Sequence, residues 1–372
     1  MPASEMIPFS DLGAQYGEIK DEVDSAIARV IAHGRFILGP EVAEMEDALA
    51  DFAGVRHCIS AASGTEALLI SLMALGIGAG DEVIVPAFTF AATAEVVLLV
   101  GATPVLVDIE ADTCNIDAAL IAAAVTERTR AIIPVGLYGQ PADMAEINAI
   151  AERHGLIVIE DAAQSFGAVY HNRKSAALST IGCTSFFPSK PLGCYGDGGA
   201  IFTEDPNLAQ AMREIRVHGQ DRRYHHVRIG LGGRMDTLQC AIVLAKLTRF
   251  EWELEQRQVI GRRYNQLFDE RGIERVAQRH DRSSVFAQYT ILVDERDRVQ
   301  ALLGDRQIPS AVHYPAPLSR QPAYCGACVF GPLPNSDRAA ARVLSLPMHA
   351  YLDGATQERI ADAVAGAVAT GA

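Results

Sequence analysis

Short apolar runs alternate with longer amphipathic stretches from about residue 20 to residue 205. Several runs, such as Pro104–Val107, are apolar throughout, which is typical of strands buried on both faces of a sheet. The predicted strands are His57–Ser60, Glu82–Val85, Pro104–Val107, Ala131–Val135, Leu156–Ile159, Cys183–Phe187 and Gly199–Thr203. Helical patterns lie between them, at Glu66–Leu75, Ala118–Ala124 and Met144–His154. This alternation predicts an α/β fold with a mostly parallel central sheet flanked by helices, whose ligands bind beyond the carboxyl ends of the strands.

The C-terminal part of the chain predicts a second, smaller α/β domain. An amphipathic helix over about Met235 to Tyr264 is expected to link the two, with residues 1–249 in the large domain and residues 250–372 in the small one. The length of 372 residues exceeds what one compact core usually holds. The small domain is predicted to contain a strand at Gln288–Val293, a helix at Arg296–Gly304, an ordered loop at Pro309–Pro334 and a helix at Thr356–Val368.

Charge and composition exclude several classes of partner. The formal net charge is -14 and the pI is about 5.2, so the surface repels phosphate backbones and nucleic acid is not expected as a partner. Residues 1–6 lack a signal-peptide pattern, and no apolar stretch is long enough to span a bilayer, so a cytoplasmic enzyme without membrane contact is expected. The seven cysteines lie mostly in apolar runs, and the single Cys325-x-x-Cys328 pair lacks the further ligands of a zinc site, so no metal is expected.

Lysine usage gives the first clue to chemistry. The chain has only Lys20, Lys174, Lys190 and Lys246, and all but Lys190 are interpreted as solvated charges. Lys190 follows an apolar strand, where an ammonium loses hydration, its pKa falls, and a free amine becomes available for carbonyl chemistry. The alternative is a lysine that extends from the strand end into solvent.

Asp161 supplies the second clue, because it follows the buried run Leu156–Ile159. A carboxylate at this strand end can pair with a protonated pyridine nitrogen and make the ring an electron sink. The alternative is an N-cap of the following segment. The neighbouring Glu160 is expected to point to the opposite face of the sheet.

A third clue lies at Ser63-Gly64-Thr65-Glu66, where a strand passes through small residues into a helix. The free amides and the helix dipole at such a start can bind one phosphate, and Ser185 could donate a hydroxyl to it. Phe90, at the end of another strand, could stack on a pyridine ring. A plain capped helix and a core aromatic are the alternatives. Together the clues predict a pyridoxal 5'-phosphate (PLP) site, because all of them fall at carboxyl ends of strands in one sheet.

These residues belong to motifs that resemble a known family. The chain is similar to the DegT/DnrJ/EryC1/StrS sugar-nucleotide aminotransferases, which are PLP-dependent transferases of fold type I. The resemblance rests on Pro8-Phe-Ser-Asp-Leu, Gly39-Pro-Glu-Val, Gly64-Thr-Glu-Ala-Leu, Pro86-Ala-Phe-Thr-Phe, Glu160-Asp-Ala-Ala-Gln164, Ser185-Phe-Phe-Pro-Ser-Lys190, Gly196-Asp-Gly-Gly and Val312-His-Tyr-Pro315.

The resemblance implies a role for each matching residue. Lys190 would hold PLP as a Schiff base and shuttle protons, Asp161 would face the pyridinium nitrogen, and Gln164 would contact the cofactor hydroxyl. Phe90 would stack on the ring. The phosphate would be held by Gly64, Thr65 and Ser185. Members are homodimers with active sites at the subunit interface, and a lysine rather than a histidine at position 190 argues against the dehydratase branch.

The segments around Lys190 and at His218-Gly-Gln-Asp-Arg-Arg-Tyr-His-His226 most resemble one subgroup. Its enzymes convert UDP-2-acetamido-2-deoxy-3-oxo-glucuronate to the 3-amino sugar with L-glutamate as donor, for surface polysaccharides. The resemblance implies that Arg234, His313 and Tyr314 meet the sugar carboxylate. Gly232 stands where the family usually has a phosphate-binding Asn, which leaves that contact in question. The alternatives are an aminotransferase for 4-keto nucleotide sugars and a non-catalytic, nucleotide-sugar-binding regulator.

Overall fold

A computed structural model describes residues 7–370 of the chain. The helices of this part are α1 (Leu12–Glu18), α2 (Lys20–His33), α3 (Pro40–Ala53), α4 (Gly64–Ala74), α5 (Ala92–Leu99), α6 (Ala118–Ala124), α7 (Met144–His154), α8 (Pro206–Ile215), α9 (Thr237–Glu270), α10 (Arg296–Asp305), α11 (Pro334–Arg342) and α12 (Gly354–Ala369). The strands are β1 (His57–Ala61), β2 (Glu82–Pro86), β3 (Thr103–Val107), β4 (Thr129–Ile132), β5 (Ile157–Asp161), β6 (Val169–Tyr170), β7 (Arg173–Lys174), β8 (Ile181–Ser185), β9 (Gly199–Thr203), β10 (Gln220–Arg222), β11 (His225–His226), β12 (Tyr289–Leu292), β13 (Val329–Phe330) and β14 (Val343–Leu346). Residues 1–6, on which the expectation of no signal peptide depends, lie outside the described part.

Eight strands of the described chain form the central sheet, in the order β1-β9-β8-β5-β4-β2-β3-β13. Neighbours from β8 to β13 are parallel, whereas β9 pairs antiparallel with both β8 and β1. The predicted mostly parallel α/β fold is confirmed. Strands such as β2 are buried along their whole length because apolar helix faces cover the sheet. The carboxyl ends of β5 and β8 therefore meet at one edge, where Asp161, the last residue of β5, pairs with Cys183 of β8.

Several boundaries differ from the sequence prediction. Strand β8 ends at Ser185 rather than Phe187, since the chain then turns and the Lys190 amide bonds to the Phe187 carbonyl at 2.8 Å. The Pro- and Gly-rich segment that was expected to be loop throughout contains β13, which pairs with β3 at the sheet edge. Two residues are too short to produce a recognisable alternating pattern. The predicted small-domain segment thus contributes a strand to the large sheet.

The C-terminal elements enclose a separate hydrophobic cluster. Helices α10 and α12 pack with the second half of α9 against the antiparallel pair β12–β14. Ile291, Leu303 and Val364 are fully buried in this cluster. Helix α9 continues without a break across the predicted boundary at residues 249 and 250. The division into two domains at that point stays a prediction.

No helix within residues 7–370 is long and apolar enough to cross a membrane.

Five of the cysteines are buried, and all seven are free thiols. Cys325 is exposed in the loop before β13. The described residues contain no group of three or more His, Cys, Asp or Glu side chains that could hold a metal ion.

Candidate active site

A cavity of about 450 Å³ lies at the carboxyl ends of β2, β5 and β8. The predicted cofactor residues Gly64, Thr65, Phe90, Asp161, Gln164, Ser185 and Lys190 all line it, as do the predicted substrate residues His313 and Tyr314. Its volume falls in the range of sites that enclose a cofactor or a substrate of moderate size. The predicted cofactor residues therefore come together because each ends or follows a strand of one sheet. His313 and Tyr314 reach the cavity from the segment between α10 and β13.

Asp161 is the last residue of β5 and is buried at the cavity wall. Its carboxylate accepts hydrogen bonds from the Thr93 hydroxyl at 3.0 Å and from the Ala163 amide at 3.1 Å. Burial raises the pKa of the Asp161 carboxyl, while these hydrogen bonds and the nearby Lys190 oppose the rise. A carboxylate has about four acceptor positions, so Asp161 retains capacity to bind a donor in the cavity.

Glu160 points to the other face of the sheet, as its place in the strand predicts. It accepts hydrogen bonds from the Ser175 hydroxyl at 2.6 Å and from the Ala176 and Leu178 amides at 2.9 and 3.2 Å. Glu160 does not line the cavity within the described chain. Its carboxylate is bonded to protein donors on the closed face of the sheet, whereas the Asp161 carboxylate faces the cavity.

Lys190 lies in the turn that follows β8. Within residues 7–370 no hydrogen bond or ion pair holds its side chain, which faces the cavity. Burial lowers the pKa of the Lys190 amine, and the charge of Asp161 partly opposes this effect. Lys190 in turn lowers the pKa of His313, together with burial of that imidazole. An unpaired amine with a lowered pKa is suited to nucleophilic attack on a carbonyl.

The start of α4 faces the same cavity. Ser63 is its N-cap, and the Ser63 hydroxyl accepts a hydrogen bond from the Glu66 amide at 3.1 Å. A Cβ added to Gly64 would lie 2.7 Å from Cβ of Ser185, so only glycine lets β8 approach the helix start this closely. This contact brings the Ser185 hydroxyl next to the free amides of the first helical turn. The arrangement is a suitable anion site.

Aromatic and amide side chains form another wall of the cavity. Phe90 is 55% exposed, and its ring centre lies 6.0 Å from that of Tyr314. The Gln164 amide donates to the Tyr314 hydroxyl at 3.2 Å and accepts from the Tyr138 backbone amide at 2.9 Å. His313 contacts Ser345 Oγ through Nδ1 at 3.0 Å. Gln164 and His313 are therefore held by protein contacts, whereas the Phe90 ring remains accessible.

Arg234 is the one predicted site residue that does not line this cavity in the described single chain. It lies beside Gly232, where an added Cβ would be 3.5 Å from Arg234 Nη2 and 3.3 Å from the ring of His218. Gly232 itself is exposed. The segment that carries both residues follows the exposed hairpin β10–β11. Within one chain, Arg234 therefore does not share the cavity that His313 and Tyr314 line.

The interpretation of Lys246 as a solvated charge is wrong. Lys246 is 2% exposed, donates to the Gly193 carbonyl at 2.7 Å, and lies 4.3 Å from the ring centre of Tyr195. Burial lowers the pKa of its amine to about 8. The sequence does contain the signal, because Lys246 follows Val243 by three residues and precedes Phe250 by four on one buried face of α9. Lys174 is also less solvated than expected, since its amine lies 3.5 Å from the Phe52 ring centre.

Comparison with known proteins agrees with this geometry. The profile of the DegT/DnrJ/EryC1/StrS aminotransferase family matches residues 17–365. The UDP-2-acetamido-2-deoxy-3-oxo-D-glucuronate aminotransferase of Pseudomonas aeruginosa is 57% identical over 351 residues, which are 94% of this chain and 97% of that protein. A pleiotropic regulatory protein of Geobacillus stearothermophilus is 44% identical over 363 residues, or 96% of this chain and 98% of that one.

A solved structure shares the fold over nearly its whole length. The crystal structure of DesV from S. venezuelae, in complex with a ketimine intermediate, superposes with a TM-score of 0.95 at 39% identity and covers 98% of both chains. The predicted family, fold, enzyme class and cofactor are confirmed. The chain belongs to the DegT/DnrJ/EryC1/StrS aminotransferase family, whose aminotransferases depend on PLP.

Proposed function

We propose that this protein aminates a UDP-linked 3-keto sugar, UDP-2-acetamido-2-deoxy-3-oxo-glucuronate, and takes the amino group from L-glutamate. The observation that carries the proposal is the meeting of the Lys190 amine, the Asp161 carboxylate and the start of α4 in one cavity. The substrate is proposed from the 57% identity with the Pseudomonas aeruginosa enzyme.

The cavity fits PLP in the chemistry of its side chains. Asp161 keeps unused acceptor capacity for a protonated ring nitrogen, whose positive charge would offset the effect of burial on the carboxyl pKa. The amides of Gly64 and Thr65 and the Ser185 hydroxyl would hold the phosphate. Phe90 offers an accessible ring for stacking, and Gln164 would contact the cofactor hydroxyl. When bound, PLP supplies an electron sink for the carbon that loses or gains a proton.

Lys190 is proposed as the residue that binds the cofactor and moves the proton. Its Nζ would accept the proton from Cα of glutamate. In the second half-reaction it would deliver a proton to C3 of the sugar. No partner in the described chain competes for this amine, and its lowered pKa keeps more of it unprotonated near neutral pH. Asp161 would maintain the positive charge on the ring nitrogen throughout.

The sugar carboxylate is proposed to meet His313 and Tyr314 in this chain and Arg234 from a second copy. Arg234 does not line the cavity of its own chain, and a homodimer with shared sites would bring the three residues together. Phe36 and Ile37 are 47% and 52% exposed, and apolar exposure of this kind is consistent with a subunit interface. The homodimer, the glutamate donor, the cytoplasmic location and a role in surface-polysaccharide synthesis remain proposals.

The decisive experiment is an absorbance titration followed by a substrate panel. Purified protein reconstituted with PLP is expected to be yellow and to bleach on addition of L-glutamate. The bleached protein should then aminate the 3-keto uronate faster than 4-keto nucleotide sugars. Preference for a 4-keto compound would replace the substrate proposal.

A regulatory role is the second candidate, because one relative is named a pleiotropic regulatory protein. The complete Lys190 and Asp161 pair argues against a non-catalytic protein. A colourless protein that does not respond to added PLP or glutamate would favour the regulator.

A further inference from the structure

The hydroxyl of Thr93 bonds to Asp161 rather than to its own helix. Thr93 lies in the first turn of α5, is fully buried, and donates to Asp161 Oδ2 at 3.0 Å. Hydroxyls in helices often donate instead to a carbonyl three or four residues back, as those of Ser71 and Thr248 do. The Thr89 hydroxyl is 3.5 Å from that of Thr93, farther away than the Asp161 carboxylate. The single hydroxyl proton of Thr93 is therefore directed at Asp161.

Two donors hold different oxygens of the Asp161 carboxylate. Oδ2 accepts from the Thr93 hydroxyl, and Oδ1 accepts from the Ala163 amide at 3.1 Å. The torsion that rotates an aspartate carboxylate is soft by itself, so such contacts set its plane. Because one oxygen is held from α5 and the other from the chain after β5, a small rotation weakens both bonds. The plane of the carboxylate is therefore fixed before a ligand enters the cavity.

Thr93 also affects the charge of this carboxylate. Burial raises the pKa of the Asp161 carboxyl, and the Thr93 hydroxyl is one of the groups that oppose the rise. A donated hydroxyl proton stabilises the ionised form, and only this form can balance a protonated ring nitrogen. Thr93 itself does not line the cavity within residues 7–370. Its effect on the cavity therefore passes through Asp161.

Building on the proposed function, in which Asp161 faces the ring nitrogen of PLP, we propose that Thr93 is a positioning residue for Asp161. Its hydroxyl fixes the plane of the carboxylate and keeps it ionised, so that the ring nitrogen of the bound cofactor retains its proton. Both half-reactions depend on the protonated ring. Loss of the hydroxyl therefore weakens cofactor binding and lowers kcat with glutamate and with the sugar alike.

The test is a double-mutant cycle of Thr93→Val and Asp161→Ala on protein titrated with PLP. Valine keeps the branched shape of threonine and removes the hydroxyl. In the wild-type background Thr93→Val is expected to raise the Kd of PLP about tenfold, the effect of one lost hydrogen bond to a charged group. In the Asp161→Ala background the same substitution should change the Kd by less than about twofold, because no carboxylate remains to be held.

Nitrogen NMR of protein loaded with PLP that is isotopically labelled at the ring nitrogen follows the proton directly. The wild type is expected to show the resonance of a protonated ring, and Asp161→Ala that of an unprotonated ring. The resonance of Thr93→Val should move from the first position toward the second. Thr93→Ser, which keeps a hydroxyl, should restore most of the wild-type signal and most of the affinity for PLP.

Thr203→Val is the matched control for loss of a buried hydroxyl. Thr203 is 2% exposed, its hydroxyl donates to the Thr180 carbonyl at 2.9 Å, and it does not line the cavity of the described chain. The control should lower the melting temperature and leave the Kd of PLP and the ring resonance unchanged.

Two results would overturn the inference. One is an equal rise of the Kd in both Asp161 backgrounds, and the other is a ring resonance that moves in Asp161→Ala and stays in place in Thr93→Val. A resonance that stays in place in Asp161→Ala as well would remove the assignment of Asp161 to the ring nitrogen, and the inference with it.

Discussion

Two lysines of this protein are withdrawn from water in different ways. Burial lowers the pKa of both Lys190 and Lys246. Lys246 donates to the Gly193 carbonyl at 2.7 Å and packs against the Tyr195 ring, whereas Lys190 faces the cavity without a hydrogen-bond partner in the described chain. Burial alone therefore does not identify a reactive lysine. A reactive lysine is identified by access to a cavity together with the lack of a hydrogen-bond partner for its amine.

The neighbouring carboxylates Glu160 and Asp161 repeat this comparison on one strand. Both are buried, and burial raises the pKa of both. Glu160 is bonded by one hydroxyl and two backbone amides on the closed face of the sheet. Asp161 has two donors and faces the cavity. In each pair one residue stabilises the fold and the other remains available for chemistry.

Replacing Lys190 should have the largest effect. Lys190→Ala removes the only amine that we propose for proton transfer, so kcat is expected to fall by at least about 1,000-fold. PLP should still bind, because the phosphate and ring contacts remain, and retained cofactor can be measured by absorbance after gel filtration. Lys20→Ala, at an exposed lysine paired with Asp24, is the control and should keep full activity. Full activity of Lys190→Ala would refute the assignment.

The two carboxylates should respond in opposite ways. Asp161→Asn cannot balance a protonated ring nitrogen, so kcat should fall by about 100-fold while stability changes little. Glu160→Gln should keep most of the activity and lower the free energy of unfolding by about 1 to 3 kcal/mol, since the buried donors lose a charged acceptor. Turnover assays and urea unfolding measure the two effects. A larger loss of kcat in Glu160→Gln would reverse the roles of the two residues.

Lys246→Met should have the smallest effect on turnover, within about tenfold of the wild type, and should change the dependence of stability on pH. The Lys246 pKa is about 8 in the folded protein, against an ordinary value of 10.5 for a solvated lysine. At pH values between about 8 and 10.5 the unfolded chain binds more protons than the folded protein does. The free energy of unfolding of the wild type therefore rises with pH relative to that of the variant.

The expected relative gain for the wild type is at most about 3 kcal/mol between pH 7 and pH 10.5. Urea unfolding of both proteins at these pH values measures it, and other titrating groups cancel in the difference. Parallel pH dependence in the two proteins would show that Lys246 does not titrate in this window.

Much of the candidate site could be predicted because its residues follow recognisable strands. Asp161, Ser185 and Lys190 all stand at or just after the end of an apolar run, and parallel strands bring their carboxyl ends to one edge. Strand β13 could not be predicted, since two residues between loops carry no pattern. The location of Gln288 in the cavity was also missed, because it precedes a strand that lies outside the central sheet.

The amino-acid sequence by itself determined the α/β alternation, the family motifs and the residues that meet at the carboxyl edge of the sheet, because these depend on local periodicity and strand ends. Only the tertiary structure decided which charges are free and which are satisfied. The partner of Lys246 lies 53 residues away in the chain, and the donors to Glu160 lie 15 to 18 residues away. Hydrogen bonds of this kind arise when distant segments pack together, and local sequence patterns do not encode them.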